Sequence, residues 1–288
     1  HGREPPPWVI QGLSLSVRPG EFLTIVGPSG AGKSTLLNMI AQIDTASAGE
    51  IVFNGEAVNS HDARSLRPGF DRRIGYVTQD DNLLPWRTTL DNVLFPLEVQ
   101  GRLDNETRSH AEMLIRAVGL AGFERYYPHE LSGGMRKRAA LIRTLAYDPP
   151  VILMDEPFAA VDAQTRTQLQ ADLLKLWNLG RKTIIFVTHD ITEAIALGDR
   201  ALVLSRQPTR IAAEHVIPIP RPRNVQDIFA LEGFAVVYER IRTAILRFEP
   251  RIIPESLVVR CRVDSNAMSL HSLGFDIKAD VRADPYDV

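Results

Sequence analysis

The stretch GPSGAGKST, residues 27–35, decides the fold of this chain of 288 residues. It follows a short apolar run, EFLTIVG (21–27), and precedes STLLNMIAQI (34–43), in which apolar residues recur at helical spacing. Glycines between a buried strand and a helix let successive backbone N–H groups curl around phosphate oxygens. An ordinary strand-to-helix turn is the simpler alternative, but the lysine and hydroxyl residues that end the stretch favour a phosphate-binding loop.

Such a loop gives its residues distinct tasks. Lys33 is expected to reach the β- and γ-phosphates of a nucleoside triphosphate, and the Ser34 hydroxyl to bind Mg²⁺. The residues predicted to contact the nucleotide here are Gly27, Pro28, Ser29, Gly30, Ala31, Gly32, Lys33, Ser34 and Thr35.

Apolar runs alternate with helical patterns over most of the chain. Strands are predicted at 21–27, 49–55, 74–78, 151–155, 182–190 and 200–205; helices are predicted at 34–43, 104–120, 136–148, 163–180 with Gly180 as its cap, and 191–196. This alternation predicts an α/β fold with a mostly parallel sheet and flanking helices. The stretch from about 85 to 147 is mostly helical in pattern, which predicts a helical insertion.

The C-terminal part of the sequence has a different character. IPIPRPR (217–223) is rich in proline and arginine, 224–247 predicts a helix, and 249–288 shows no period and is left unassigned. We therefore expect a nucleotide-binding domain over 1–225 and a C-terminal extension of unknown role over 226–288.

Composition and charge narrow the class of protein. The net charge of −2, from 33 basic and 35 acidic residues, argues against a nucleic-acid partner. One cysteine, Cys261, excludes an intrachain disulfide and fits a reducing compartment. No uncharged stretch approaches the roughly 20 apolar residues of a membrane span, and no signal-peptide pattern is present. Because the chain starts at His1 rather than Met, we expect a processed or trimmed N-terminus.

Two carboxylates follow the apolar run VILM. Neighbouring side chains of a strand point to opposite sides, so Asp155 and Glu156 can serve a metal and a water separately. We expect Asp155 to bind Mg²⁺ directly or through the metal's other ligands. Glu156 is the predicted general base for an attacking water. A solvated turn before Pro157 is the alternative.

Two further polar residues follow predicted strands. His189 could hydrogen-bond a γ-phosphate or orient a water, although a lone histidine is more often a packing residue. Gln79 could meet the metal with its amide and sense the γ-phosphate, but by itself it is uninformative.

HELSGGMRKR (129–138) breaks local rules at the start of a helical pattern. Glycine costs backbone entropy, and cations oppose the dipole at a helix N-terminus. Both features make sense if an anion is meant to lie at this end. Arg136, Lys137 and Arg138 would add long-range attraction or simply form a solvated helix face.

Taken together, these motifs resemble the nucleotide-binding subunit of ATP-binding-cassette transporters over about residues 9–223. The matching stretches are the Walker A loop GPSGAGKST, the Q-loop residue Gln79, the signature LSGGM (131–135), the Walker B run VILMDE (151–156), the D-loop AAVD (159–162) and the switch histidine in THD (188–190). LLPW (83–86) and IPIPRPR (217–223) look like the importer branch for nitrate, taurine and alkanesulfonates.

The resemblance implies an ATPase whose two copies face head to tail, with ATP and Mg²⁺ as cofactors. Ser132, Gly133 and Gly134 of one copy would contact the γ-phosphate held by the other, and Asp162 would line the nucleotide. It adds an antiparallel β region to the fold. It makes Lys33, Glu156 and His189 the catalytic residues, and Ser34, Gln79 and Asp155 the metal ligands.

The implied setting is a peripheral subunit at the cytoplasmic face of the inner membrane. Its partners would be transmembrane permease subunits and, indirectly, a solute-binding protein; no nucleic acid is expected. ATP hydrolysis would drive uptake of a small solute that the sequence does not identify. A cassette ATPase of the DNA-repair or translation type is the alternative, although the chain has one uninterrupted cassette and no heptads.

Three stretches leave questions open. The family's adenine-stacking aromatic falls where Glu4 and prolines stand, so Trp8, or a residue missing from the N-terminus, would take that role unless Trp8 only packs. Lys137 stands where many relatives carry glutamine. NLLPWRTTLDNV (82–93) is either a contact with a membrane subunit, through Trp86, or an anchor of the helical insertion.

Overall fold

The computed structural model describes residues 8–57 and 73–247, together with the backbones of two strands at 258–262 and 274–278. Cys261 lies in the first of those strands. Within the described part of the chain, no helix has both the length and the apolar character needed to cross a membrane.

In these described residues, ten strands form three sheets. In chain order they are β1 (Phe22–Val26), β2 (Val52–Phe53), β3 (Glu56–Ala57), β4 (Ile74–Val77), β5 (Val151–Asp155), β6 (Thr183–Val187), β7 (Arg200–Leu204), β8 (Ile211–Val216), β9 (Val258–Arg262) and β10 (Gly274–Lys278). The main sheet has the order β4-β5-β6-β1-β7-β8. All its pairs are parallel except β7 with β8. β2 pairs with β3, and β9 with β10, as antiparallel hairpins. The predicted mostly parallel α/β fold with an antiparallel region is confirmed.

Seven α-helices accompany the strands over the ranges that the structure describes. They are α1 (Lys33–Ile40), α2 (Thr89–Val99), α3 (Asn105–Ala117), α4 (Gly133–Leu145), α5 (Ala163–Gly180), α6 (Ile191–Leu197) and α7 (Phe234–Leu246), with short 3-10 turns at Pro128–Glu130 and Ile228–Ala230. α2, α3 and α4 fall within the stretch predicted to be a helical insertion.

Side-chain caps explain where several helices begin. Asp104 accepts a hydrogen bond from the Thr107 N–H at 2.8 Å, and the Thr107 hydroxyl accepts one from the Asp104 N–H, so α3 starts with a capping box. Thr88, Ser132, Asp162 and Asp190 cap α2, α4, α5 and α6. These caps satisfy N–H groups that the helix leaves without partners.

Some predicted boundaries are wrong. The helix expected over 224–247 begins only at Phe234, because Gly233 before it takes a left-handed backbone with φ 85° and a 3-10 turn precedes it. β8 was not predicted, since the edge strand IAAEHV lacks a continuous apolar run. Gly180 ends α5, but the left-handed cap is Arg181, with φ 39°. Residues 249–288, left unassigned, contain β9 and β10.

The sheet core fixes the edge where the site lies. β1, β5 and β6 are adjacent, parallel and almost fully buried, with Phe22, Phe186 and Trp177 in contact beneath them. Because parallel strands end at the same edge, the residues that follow β1, β5 and β6 are brought together. Those residues are the phosphate loop, the carboxylate pair and the switch histidine.

Candidate nucleotide-binding site

The phosphate loop connects β1 to α1 through glycines that no other residue replaces easily. Gly30 and Gly32 both have φ 74°, in the left-handed region that favours glycine. A Cβ on Gly27 would come within 3.1 Å of Leu204, so β7 packs directly on the loop. The loop shape is therefore set by backbone conformation and by close packing.

The start of α1 is open to an anion. Gly32, its N-cap residue, supplies no side-chain hydrogen bond, and the first turn contains no acidic residue. Helix N–H groups that no side chain caps, at the positive end of the helix dipole, form an anion site. This end of α1 can thus bind a phosphate.

Lys33 is buried at this helix start. Its Nζ donates to the carbonyls of Gly27 and Pro28, each at 3.0 Å, and lies 4.0 Å from Glu156 Oε1. Burial lowers the pKa of Lys33 from its ordinary value, while the carboxylates of Glu156 and Asp155 raise it. The amine is held inside its own loop, where an incoming phosphate can replace carbonyl partners.

The turn between β7 and β8 clasps the phosphate loop, a feature that sequence reasoning missed. Gln207 Nε2 donates to the Gly30 carbonyl at 2.9 Å, and the fully buried Thr209 hydroxyl donates to the Ala31 carbonyl at 2.6 Å. Both contacts span more than 170 residues, so no local pattern could reveal them.

Trp8 directly precedes a residue, Val9, that packs against the same loop. A Cβ added to Gly32 would lie 3.1 Å from a methyl group of Val9. The Val9 carbonyl accepts a hydrogen bond from the Thr209 N–H at 2.8 Å. Trp8 is 53% exposed, which leaves its ring available to a ligand. Its proposed stacking on adenine stays a prediction.

Ser34 and Asp155 join the phosphate loop to the end of β5. The Ser34 hydroxyl hydrogen-bonds to the Asp155 carboxylate. The pKa of Asp155 is raised from its ordinary value, mainly by burial and also by the neighbouring Glu156 carboxylate. The Ser34 hydrogen bond and Lys33 lower the pKa and offset part of this rise. Hydroxyl and carboxylate oxygens are hard donors of the kind that Mg²⁺ prefers, so this pair fits the metal.

Glu156 and His189 meet at the same edge of the sheet. Glu156 Oε2 lies 2.8 Å from His189 Nδ1. Glu156 adopts a positive φ of 45°, rare for a glutamate, and its N–H donates to the Val187 carbonyl at 3.0 Å. The backbone is therefore forced to aim this carboxylate toward the ends of β1 and β6 rather than into the strand. A glutamate beside a histidine can accept a proton from a water.

Gln79 lies two residues beyond the end of β4, the strand next to β5, and is exposed. Its backbone carbonyl accepts a hydrogen bond from Lys137 Nζ on α4. The carboxyl-terminal ends of β4 and β5 thus bring Gln79 and Asp155 to one edge, while Lys137 links that edge to the signature helix.

The signature residues form the other glycine-rich helix start. Ser132 caps α4 by accepting the Met135 N–H at 3.3 Å, and both Ser132 and Gly133 are exposed. A Cβ on Gly133 would meet nothing closer than 3.9 Å, whereas a Cβ on Gly134 would lie 2.7 Å from the Thr165 methyl group of α5. The two glycines therefore differ: Gly134 permits helix packing and Gly133 faces open space.

The three cations of the signature stretch are neither free nor merely solvated. Arg136 Nε lies 3.1 Å from Asp81 Oδ2, and Arg138 Nε lies 3.1 Å from the buried carboxylate of Asp172. Lys137 donates to the Gln79 carbonyl. Both hypotheses from the sequence, long-range attraction and a solvated face, omit these intrachain partners.

The first two turns of α5 contact both Asp162 and the neighbour of His189. Asp162 accepts the Thr165 N–H at 3.0 Å, and these hydrogen bonds lower its pKa. One turn further along, Arg166 Nη1 lies 3.6 Å from Asp190 Oδ2, next to His189. Asp162 is exposed at the start of α5, whereas the phosphate loop of the same chain leads into α1.

The LLPW stretch divides its residues between the two suggested roles. Leu83 is buried in the core, as an anchor would be, but Trp86 is 71% exposed. The fully buried Asn92 fixes the loop: its amide accepts the Leu84 N–H at 2.7 Å and donates to the carbonyls of Leu84 and Arg87. A rigid loop therefore displays an unpaired aromatic ring to solvent.

The family model described as ABC transporter matches residues 10–159, which contain the phosphate loop, the signature and both carboxylates. The chain belongs to the ABC transporter family. It is an ATP-binding ATPase of this family, as predicted. A second model, described as baseplate wedge protein gp25, matches residues 231–286, mostly outside the described residues.

Several curated relatives cover most of the chain. An uncharacterized ABC transporter ATP-binding protein of Methanocaldococcus jannaschii is 45% identical over 83% of this chain and 86% of its own length. The aliphatic sulfonates import ATP-binding protein of Bacillus subtilis is 41% identical over 75% of this chain and 80% of its own. The taurine import ATP-binding protein of Pseudomonas syringae pv. tomato is 44% identical over 71% and 75%.

Solved structures give the same fold. A dimeric ATP-binding cassette in a post-hydrolysis state, bound to ADP and Pi, has a TM-score of 0.64 and 35% identity, covering 73% of this chain and 90% of that one. A dimeric bacterial ABC transporter cassette matches with the same values. The likeness to the cassette of ABC transporters thus extends from sequence to the arrangement of strands and helices.

Proposed function

We propose that this chain is the ATP-hydrolysing subunit of an importer for a small solute such as nitrate, a sulfonate or taurine. The observation that carries the proposal is the meeting of Glu156 Oε2 with His189 Nδ1 at 2.8 Å, with Lys33 Nζ 4.0 Å from the same carboxylate. Names of relatives that include sulfonate and taurine import support the solute class. The single uninterrupted cassette without heptads favours an importer subunit over a DNA-repair or translation-type ATPase.

In this proposal ATP lies on the phosphate loop. Backbone N–H groups of residues 29–35 bind the phosphates, and Lys33 exchanges its carbonyl partners for phosphate oxygens. Ser34, Gln79 and Asp155 hold Mg²⁺, which when bound neutralises phosphate charge. Trp8, or a residue preceding it, stacks on adenine; the exposure of Trp8 and the packing of the next residue, Val9, against Gly32 support this assignment.

The proton transfer is the task of Glu156. Its carboxylate accepts a proton from the attacking water, and His189 holds that carboxylate and the γ-phosphate in position. Glu156 has a strained backbone with a positive φ, and the hydrogen bond from its N–H to the Val187 carbonyl holds that conformation. The carboxylate therefore stays directed at the site.

Two copies complete each site. The exposed Ser132 and the unobstructed Gly133 offer a helix N-terminus to the phosphate held by a second copy, with Gly134 behind them. Asp162, exposed at the start of α5, lines the same interface. Dimeric cassettes among the structural neighbours support this arrangement. ATP joins the copies, and hydrolysis lets them separate.

Transport requires membrane partners. We place the subunit at the cytoplasmic face of the inner membrane, peripherally, against transmembrane permease subunits, with a solute-binding protein engaged indirectly. Residues 1–225 form the cassette, and 226–288 are an extension whose role is unassigned. Trp86, exposed on a loop held by Asn92, contacts the permease.

Glu156→Gln tests the catalytic core of the proposal. The amide keeps the size of the side chain but cannot take a proton, so turnover should fall about 10²–10⁴-fold while MgATP still binds. Size-exclusion chromatography should then show a dimer that persists with MgATP. Normal turnover would remove Glu156 from the role of base, and Glu98→Gln, an exposed glutamate on α2, is the matched control.

Trp86→Ala tests the membrane contact. The side chain is exposed, so basal ATP hydrolysis by the isolated subunit should not change, whereas ATP-driven uptake by the assembled importer in vesicles should be lost. Val99→Ala, equally exposed on α2, is the control and should leave uptake intact. Uptake at the parent rate by Trp86→Ala would refute the contact.

A further inference from the structure

The loop of residues 79–82 gives every backbone carbonyl to a side-chain donor. Lys137 Nζ donates to the carbonyl of residue 79, and the Thr78 hydroxyl to that of residue 80 at 2.8 Å. Arg143 donates to the other two, at 2.9 Å and 2.6 Å. Three of the four carbonyls are thus bound by cations from one helix, α4.

Arg136 fastens the loop from the same helix by another route. Its Nε lies 3.1 Å from the Asp81 carboxylate, and its Nη1 donates to the Leu131 carbonyl at 2.8 Å. Leu131 directly precedes Ser132, the cap of α4. The guanidinium therefore ties the Gln79 loop to the beginning of the signature.

These attachments extend along a rigid rod. Lys137 and Arg143 are six residues apart, which separates their attachment points by about 9 Å along a helix axis. A loop held at several separated points cannot slide on the helix without breaking charge-assisted hydrogen bonds. A shift of α4 must accordingly carry the loop with it.

The same contacts explain cations that helix electrostatics disfavours. Arg136 and Lys137 lie in the first two turns of α4, where positive charge opposes the dipole. Their partners are carbonyl and carboxylate oxygens of the loop, not a ligand. Arg136 and Lys137 therefore occupy positions that the helix dipole disfavours because they supply hydrogen-bond donors to the loop.

We propose that Lys137, with Arg136 and Arg143, is a positioning residue that makes Gln79 move as one body with the signature end of α4. This rests on the proposed function, in which the signature binds ATP held by a second copy. Closure of α4 on the partner's ATP then sets Gln79 at the metal of the copy's own site. Occupancy of one site thereby favours hydrolysis at the other.

The test compares Lys137→Met and Arg143→Met with the parent chain. Lys137→Arg keeps a donor and serves as the conservative rescue, and Lys175→Met, which removes a 70% exposed lysine of α5, is the control. Affinity for MgATP is measured by titration calorimetry. The kcat and the Hill coefficient for ATP come from steady-state hydrolysis, and hydrogen exchange is followed in the peptide covering 78–84.

Both methionine variants should bind MgATP as the parent does, yet lose about tenfold in kcat and approach a Hill coefficient of one. Exchange in the 78–84 peptide should accelerate, while Lys137→Arg and Lys175→Met stay near parent values. A thermal melt shows whether each variant is folded. If Arg143→Met does not fold, Lys137→Met, at a partly buried position of α4, still tests the proposal.

Two results separate failure of this inference from failure of the proposed function. If the parent hydrolyses ATP cooperatively and both methionine variants keep its Hill coefficient and its exchange rate, the positioning role is wrong. If the parent itself shows no cooperativity, or Glu156→Gln forms no dimer with MgATP, the proposed function fails and the inference falls with it.

Discussion

The chain has two glycine-rich helix starts, one on α1 and one on α4, and they are built differently. Neither first turn contains an acidic residue, so both suit an anion. The start of α1 has no side-chain cap and encloses a buried lysine, Lys33. The start of α4 is capped by Ser132, is exposed, and has its cations committed to its own chain.

The difference indicates which helix start can bind a phosphate without a second copy of the chain. α1 combines open N–H groups with a lysine and the Ser34–Asp155 pair, so it can bind a nucleotide within one copy. α4 supplies only a helix end and small residues, because its positive side chains point elsewhere. It can contact a phosphate only after another part of a site has brought the phosphate to it.

The largest expected effect comes from removing the cation of α1. Lys33→Met keeps the stem of the side chain but loses the charge, so the affinity for MgATP should fall by about 100-fold or more, on the scale of a charge-assisted contact to phosphate. Titration calorimetry measures the loss. Lys182→Met, on the same domain but away from the loop, should bind as the parent does. Unchanged affinity in Lys33→Met would mean that α1 is not the phosphate site.

An intermediate effect should separate the two signature glycines. Gly134→Ala places a Cβ 2.7 Å from the Thr165 methyl group, which should lower the free energy of unfolding by about 1–3 kcal/mol through overpacking. Gly133→Ala meets open space and should raise the free energy of unfolding by up to about 1 kcal/mol, because alanine is the better helix former. Urea unfolding of both variants measures the contrast.

Two further results sharpen that contrast. Adding Thr165→Ser to Gly134→Ala removes the obstructing methyl group and should restore most of the lost stability. Equal stability losses in both glycine variants would show that packing against α5 does not distinguish them.

The smallest effect belongs to the cap of α4. Ser132→Ala removes the hydrogen bond to the Met135 N–H and should reduce the unfolding free energy by about 1 kcal/mol. Affinity of the isolated copy for MgATP should stay the same, because α1 holds the nucleotide. A weaker affinity in a monomeric sample would place Ser132 in the site of its own chain.

Sequence reasoning succeeded where local patterns carry the information. The phosphate loop, the buried strands and the start of α3 each depend on consecutive residues, and the structure has these elements in the expected places. The edge strand β8 and the late start of α7 escaped it, because packing against β7 and the left-handed Gly233 decide them.

The site shows the same division. Lys33, Asp155, Glu156 and His189 were predicted from motifs, but the contact between Glu156 and His189 joins residues far apart in sequence. The clasp by Gln207 and Thr209, and the hold of Lys137 on Gln79, depend on tertiary neighbours that no periodicity reveals.

The central claim is that α1 of one copy and α4 of another make one site. Mixing two inactive variants, Lys33→Met and Gly133→Asp, tests it by ATP hydrolysis. Gly133→Asp puts a negative charge at the start of α4 where there is space for it. In a head-to-tail mixed dimer both defects fall in one site, and the other site has an intact α1 and an intact α4. ATP hydrolysis should be absent from each variant alone and should return when the two variants are mixed. A mixture as inactive as its two components would contradict it.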